Sequence, residues 1–399
     1  MNYTDPARYA QRALAHAQHL SKTGRGSATQ AEKQAAEYVQ AQLASLGLQN
    51  ISLQLFSGER SLWLFIAMVL GLALVGHAAY WLLRKPVGEL PAVIIAVLAF
   101  GISGYLYWLR FTYRSNPLRN SLPQAPSQNV IARIPPTDQA ERQVVLVAHL
   151  DSHRAVFWFA SDFLVRLFGP IGMMAILGIF LAIPVYLLAG LTDWPAFGWL
   201  GICLAGFHFL GWFTGVTADL GPYSPGANDN ASSVGTLLAL AGRLAEQPLK
   251  NTEVWLAFTG CEESSGDGIQ ALMATYGNEL KEAWFIDLEM VGIGDTLNYI
   301  REEGSLRRVT ISQEMETLLK KVGQPYGLKA DKTPLVGAST ECSLLLDRGF
   351  NAARLIASRT GSTLMPEWHR MTDTPSKLQP AALERIQGLV WDILQRLDQ

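Results

Sequence analysis

Four stretches of this chain, residues 61–83, 91–109, 167–191 and 195–217, contain no lysine, arginine, aspartate or glutamate. Each is about 19 to 25 residues long, enough for an α-helix to cross the hydrocarbon core of a bilayer. Burying all four inside a soluble core would take more apolar interior than a domain of this size offers. Of the 399 residues these stretches use about 90, and the 32 Lys+Arg and 34 Asp+Glu all lie in the rest. That remainder is roughly one-fifth charged, the ordinary share for a soluble domain. The chain therefore reads as one sizeable domain plus four membrane spans, arranged as two hairpins. The first turns at Arg84-Lys85-Pro86, the second at Thr192-Asp193-Trp194.

Arg60, Arg110, Arg114, Arg119, Arg154 and Arg166 lie near the span ends on the domain side, against Arg84 and Lys85 on the far side. This bias places the domain in the cytoplasm, as part of a multi-pass integral membrane protein with the lipid bilayer as its first partner. Trp158, Trp194, Trp199 and Trp212 fall near span ends, where indoles anchor at the interface, and His77 and His208 inside spans are expected to be packed or interfacial. Net charge is −2 and no basic run exceeds two residues, so nucleic acid is not an expected partner. Cys203, Cys261 and Cys342 are too few and scattered for a disulfide framework or a cysteine zinc site, which allows a reducing compartment. The polar start of the chain suggests no processed leader.

Outside the spans, helical spacing of apolar residues predicts helices over 5–21 and 28–47, and again over 231–246, 312–322 and 380–398. Strands are expected at the alternating Ile51, Leu53 and Leu55, and over Asn129–Ile134, Val144–His149, Val254–Thr259, Trp284–Glu289 and Ala352–Ala357. Alternating strands and helices imply an α/β fold, a mixed and mostly parallel sheet with helices on both faces. The expected layout has that domain at 1–60, 110–154 and 218–399, with the hairpins at 61–109 and 155–217.

Five motifs carry chemistry. The apolar run Val144–Leu150 ends in His149-Leu150-Asp151, at the carboxyl end of a buried strand, where open α/β sheets bind ligands. His149 and Asp151 are two apart, so in extended chain both point the same way, and the carboxylate can fix the imidazole tautomer. Pro225-Gly226-Ala227-Asn228-Asp229-Asn230 runs into an apolar helix; alone, its acid reads as a helix cap. Glu262 and Glu263 follow another apolar strand, and adjacent carboxylates repel unless a cation sits beside them. Asp287 and Glu289 interrupt a fourth apolar run, and His369 lies in the polar loop Trp368–Thr374. Singly, each has a bland explanation. In this order, imidazoles and acids at successive strand ends are what a divalent metal site needs. His153, beside the first motif, is expected to be a solvated loop histidine, and Cys261 a packed residue without a nearby base.

The five motifs, together with Gly26-Ser27 and the helix after it and Thr340-Glu341 before Arg348-Gly349-Phe350, resemble the zinc aminopeptidases of bacteria and fungal vacuoles, related to glutamate carboxypeptidase and the glutaminyl cyclases. The resemblance covers almost all of the soluble part and leaves the spans as insertions. It implies a zinc-exopeptidase-like fold and two Zn²⁺ per chain. His149 would bind the first, Glu263 and His369 the second, and Asp229 would bridge them. Glu289 falls where the family usually has Asp as the remaining ligand of the first zinc, with Asp287 as the alternative. Asp151 would pair with His149, and Glu262 would be the general base. The implied substrate is a peptide, hydrolysed at its N-terminal residue. Two other readings stand beside this one: a single-zinc cyclase, which would not need His149, and an inactive relative serving as receptor or scaffold. Trp368 stands where many members place Tyr, Ser265 where Gly is common, Glu341 where Asp stands and Cys342 where many have His. Glu341 and Cys342 are expected to bear on pocket lining. With the second hairpin inserted between His149 and Asp229, the membrane helices are expected beside the active-site mouth, restricting which peptides reach it.

Overall fold

The computed structural model describes residues 6–192, 194–304, 306–332, 340–362 and 364–399. Asp5, at the start of the first expected helix, and Asp193, inside the second hairpin turn, lie outside them. Nine strands form one sheet: β1 (Ile51–Glu59), β2 (Gln124–Ile134), β3 (Arg142–His149), β4 (Thr252–Thr259), β5 (Trp284–Glu289), β6 (Thr296–Glu303), β7 (Val309–Thr310), β8 (Lys329–Lys332) and β9 (Asn351–Ser358). Their order is β1-β2-β4-β3-β5-β9-β6-β7, with β8 paired to β6. The central β4-β3-β5-β9 are mutually parallel, whereas β1, β2, β6 and β7 join antiparallel.

The helices are α1 (Pro6–Leu20), α2 (Gln30–Ser45), α3 (Leu62–Leu83), α4 (Glu89–Phe111), α5 (Asp162–Thr192), α6 (Pro195–Ala218), α7 (Ser232–Glu246), α8 (Glu262–Ser265), α9 (Asp267–Tyr276), α10 (Gln313–Gly323), α11 (Glu341–Asp347) and α12 (Pro380–Leu397). Val144, Leu146 and Ala148 of β3 face a core shared with α1, α2, α7, α10 and α12. Val145 and Val147 face a second core with α9 and α11. Both faces of β3 are covered, which is why it reads as an unbroken apolar run.

The α3–α6 helices are each long and apolar enough to cross a membrane. They form a ring in which α3 and α5 each pack against α4 and α6. Small residues set the spacing: a Cβ on Gly215 of α6 would come within 2.9 Å of the Ala67 nitrogen and the Trp63 oxygen of α3. His77 of α3 hydrogen-bonds through Nδ1 to the Tyr186 hydroxyl of α5 (2.6 Å) and through Nε2 to His208 Nδ1 of α6 (2.9 Å). Both histidines are packed inside the ring. Its outer face is apolar and open, with Leu82 72%, Leu90 70% and Leu191 79% exposed. Trp194 and Trp199 are exposed near one end of α6, whereas Trp158 is buried and donates to Thr214 Oγ1 at 2.9 Å.

Both hairpins leave the sheet on the same side. The first joins the paired ends of β1 and β2 at Glu59 and Gln124. Since β2 runs antiparallel to β4 with Val130 opposite Phe258, Gln124 lies beyond the carboxyl end of β4. The second leaves at the carboxyl end of β3, parallel to β4, and the chain returns just before Asp229. Buried ion pairs fix this junction. Arg110, in the last turn of α4, pairs with the fully buried Glu59 at 2.7 Å and donates to the Ser264 carbonyl of α8 at 2.5 Å. Arg119 pairs with Glu59 at 3.1 Å and Asp267 at 2.5 Å.

Candidate metal centre

The carboxyl ends of β3, β4 and β5 present His149, Glu262–Glu263 and Glu289 to one point, as neighbouring parallel strands in register must. Asp229 reaches the same point from the irregular turn Ala227–Ala231 before α7, where the Asp229–Asn230 peptide is cis. His369 comes from the loop between β9 and α12.

The two carboxylate oxygens of Asp229 face two different groups. Oδ1 lies 3.5 Å from His149 Nε2, which is also 3.4 Å from Glu289 Oε1. Oδ2 lies 3.4 Å from His369 Nε2, which is also 3.3 Å from Glu263 Oε2. Ligand atoms roughly 2.0–2.1 Å from a tetrahedral zinc stand about 3.3–3.4 Å apart, so each set has the spacing of a coordination shell. Glu263 Oε1 and His369 Nδ1 are buried without hydrogen-bond partners. The donor set thus fits a divalent metal. Of the two acids on β5, Glu289 is the one beside His149; both Asp287 oxygens are buried and unpartnered.

Electrostatics point the same way. Burial, reinforced by Asp229 and other acids, pushes the Glu263 carboxyl well above its ordinary range. Burial also raises Glu262, with His149 opposing and Glu263 adding to the rise. For Asp229 burial would raise the value, but His149 and His369 outweigh it and hold the acid down at about 2. Carboxylates crowded like this want a cation among them.

The positioning residues are explicit. Asp151 receives the backbone N–H of Glu262 (3.2 Å) and of Glu263 (3.1 Å) and the Ser27 hydroxyl (2.6 Å), and its Oδ1 stands 3.3 Å from His149 Nδ1. Asp373 accepts from the nitrogens of Asn228 (2.8 Å) and Asp229 (3.0 Å), holding the Asp229 turn. Cys261, Met290 and His369 adopt left-handed backbone at φ 55°, 50° and 56°, conformations that surrounding contacts must enforce.

Two buried groups escape sequence reasoning. Arg25 donates to the carbonyls of Leu20, Leu150, Pro225 and Gly226, tying the His149 strand end to the Asp229 turn. Glu32 accepts from Cys261 N (2.8 Å), Ala28 N (3.0 Å) and Ser127 Oγ (2.7 Å), fixing the approach to Glu262. The available signals were Gly24-Arg25-Gly26 and the cap pattern Thr29-x-x-Glu32. At Gly24 and Gly26 a Cβ would strike Tyr223.

Three expectations need correction. His153 is buried, not solvated: its ring stacks on His369 at 3.7 Å, and a ligand atom of it lies within 4.8 Å of those of Glu263 and His369. The insertion covers it; Phe159 packs edge-on against it. Glu341 and Cys342 are not pocket-lining. Glu341 is buried and accepts from Thr259 Oγ1 at 2.9 Å, while Cys342 faces the α9–α11 core. Ser265 and Trp368 do line the cavity beside the donors, and Cys261 is buried as expected.

An α/β sheet with imidazoles and carboxylates converging at its central strand ends makes a framework suited to a divalent metal. Residues 212–394, which include Asp229, Glu262, Glu263, Glu289 and His369, match the model of Peptidase family M28. A zinc aminopeptidase from Bacillus subtilis is 14% identical, with TM-score 0.56 over 97% of this chain and 95% of its own. A Zn-dependent exopeptidase from Parabacteroides distasonis (14% identity, TM-score 0.56, 96% of this chain and 97% of its own) and a glutaminyl cyclase from Bacteroides thetaiotaomicron (14%, 0.56, 96% and 97%) share the fold equally. No curated protein sequence matches.

Proposed function

We propose that this chain is a membrane-embedded aminopeptidase with two zinc ions. The observation that carries the reading is the division of Asp229: one oxygen faces His149 and Glu289, the other His369 and Glu263. These five residues would hold the pair, with Asp229 as bridge. Bound there, the metals would acidify a water and polarise the peptide carbonyl.

The chain's own groups supply the rest. Glu262, beside the donors and raised by burial, takes the water proton at its carboxylate and returns it to the leaving amine. Asp151 holds His149 and, through the Glu262 and Glu263 N–H groups, the turn that carries the base. Asp373 and Arg25 keep the Asp229 turn in place. The Trp368 indole can donate a hydrogen bond toward the oxyanion but cannot deliver a proton. The cavity also accepts a peptide from outside, while the apolar ring of helices sits in lipid with the domain on its cytoplasmic side.

The discriminating experiment is metal content and hydrolysis of the protein purified in mild detergent without chelator. About two zinc ions per chain are expected, fewer in His149→Ala. Glu262→Gln keeps the zinc and loses roughly 10²–10⁴ in kcat/KM on an N-terminal residue anilide. One metal per chain with pyroglutamate formation from N-terminal glutamine would establish the cyclase reading instead. No bound metal at all would make the domain a scaffold.

A further inference from the structure

The cavity that holds the donors does not end at them. It measures about 250 Å³, and its wall continues from Asp229, Glu262 and His369 to residues of all four membrane helices. Trp63, Phe159 and Phe168 surround its middle; Leu70 of α3, Tyr107 of α4 and Ala175 of α5 are at its far end. Those last three are buried, so the chamber closes there. The wall runs along α3 from Leu62 to Leu70, which at about 1.5 Å per residue is roughly 12 Å of depth.

Beyond the donor end the wall is mostly apolar, with Tyr107, Thr214 and Arg110 the polar residues that the helices add. The two arginines on it are already engaged: Arg110 by Glu59, Arg354 by Glu303 at 2.7 Å. A peptide's far carboxylate would find no waiting cation there, and water would find few partners. An apolar cavity of roughly 150 Å³ accommodates benzene; the whole cavity here, donor end included, is larger, and its depth along α3 suits an extended apolar group. Glycine widens it: a Cβ on Gly172 of α5 would have no neighbour nearer than 3.9 Å, so the wall stands back there.

We infer that the substrate is an amide whose N-terminal residue carries a long unbranched apolar chain, inserted between the four helices while the scissile amide lies at the donors. This rests on the aminopeptidase reading and names its substrate class. A chamber closed inside the ring holds the terminal residue, and the leaving part of the substrate lies on the open side. The hairpins thereby become the specificity pocket itself, built from elements that the soluble framework lacks.

The test uses the full chain in mild detergent with 4-nitroanilides of 2-amino acids whose unbranched side chains grow from one to eight carbons. In parallel, binding of the matching 2-amino alcohols, which lack the scissile bond, is measured by calorimetry. Each methylene buried is expected to raise kcat/KM and affinity about three- to fourfold, through lengths beyond that of leucine. Gly172→Leu, which fills the chamber, should remove the gain for the longest chains while its zinc content stays at the wild-type level. Hydrolysis with a flat profile, or an optimum at alanine, overturns the chamber and leaves the peptidase. No hydrolysis, but affinity that still climbs with chain length, upholds the apolar ligand and overturns the peptidase. Absence of both trends overturns both. The wild-type series decides the matter even if Gly172→Leu does not fold.

Discussion

Asp229 shows how much a single carboxylate can organise when its turn is held from outside. Its nitrogen is bound by Asp373, the carbonyls before it by Arg25, and its two oxygens face two donor sets. The candidate ligands other than His369 were legible in the sequence because each ends or follows an apolar strand or precedes an apolar helix, so type and place coincide; His369, in a polar loop, was legible only in company with them. Arg25 and Glu32 were not, since a charged residue carries no mark of its burial; only the hydrogen-bond partners, distant in sequence, reveal it. His153 was misjudged for the related reason that its cover comes from the inserted hairpin. The acids also set a pH dependence. Burial pushes Glu341 up to about 8, with His149 opposing, against an ordinary 4.5. Between those values the metal-free folded chain keeps a proton that the unfolded chain has lost. The contribution of this group to stability therefore falls as pH rises through this window, by up to about 1.4 kcal/mol per pH unit. Burial raises Glu32 to about 8 and Asp373 to about 7 in the same sense, so thermal unfolding of chelator-treated protein should show a decline toward pH 8, and Glu341→Gln should make it shallower by the share of one group.

At the level of elements, the strands that carry the site were readable from their unbroken apolar runs, as were the four long helices from their lack of charge. β6, β7 and β8 were not: β7 and β8 are short, and β6 ends in the charged residues Arg301, Glu302 and Glu303. The short α9 and α11 offer too few turns for a periodic signal. Inside the ring, close approach of α3 and α6 depends on Gly215. Gly215→Leu should force the two helices apart and lower the unfolding temperature in detergent by several degrees, whereas Gly101→Leu, where a Cβ meets nothing within 4 Å, should leave it nearly unchanged. Equal effects from the two substitutions would show that the α3–α6 contact does not support the ring.

For the whole molecule, the arginines around the junction support the proposed orientation. Arg110, Arg119 and Arg154 are engaged in ion pairs with Glu59, Asp267 and Asp219, while Arg60, Arg114 and Arg166 add to the positive side. A cytoplasmic domain should be cut by protease added to inside-out vesicles and be protected in right-side-out ones; the opposite pattern would reverse the assignment. The Arg110 junction reaches further. A guanidinium in the last turn of α4 holds the carbonyl of Ser264, two residues from the proposed base, so a tilt of α4 is passed directly to Glu262. Helices tilt to match the thickness of the lipid around them. Turnover should therefore vary with acyl-chain length when the protein is reconstituted in bilayers from thin to thick, and Arg110→Ala should flatten that dependence: the composition of the membrane becomes an effector of a reaction that takes place outside it.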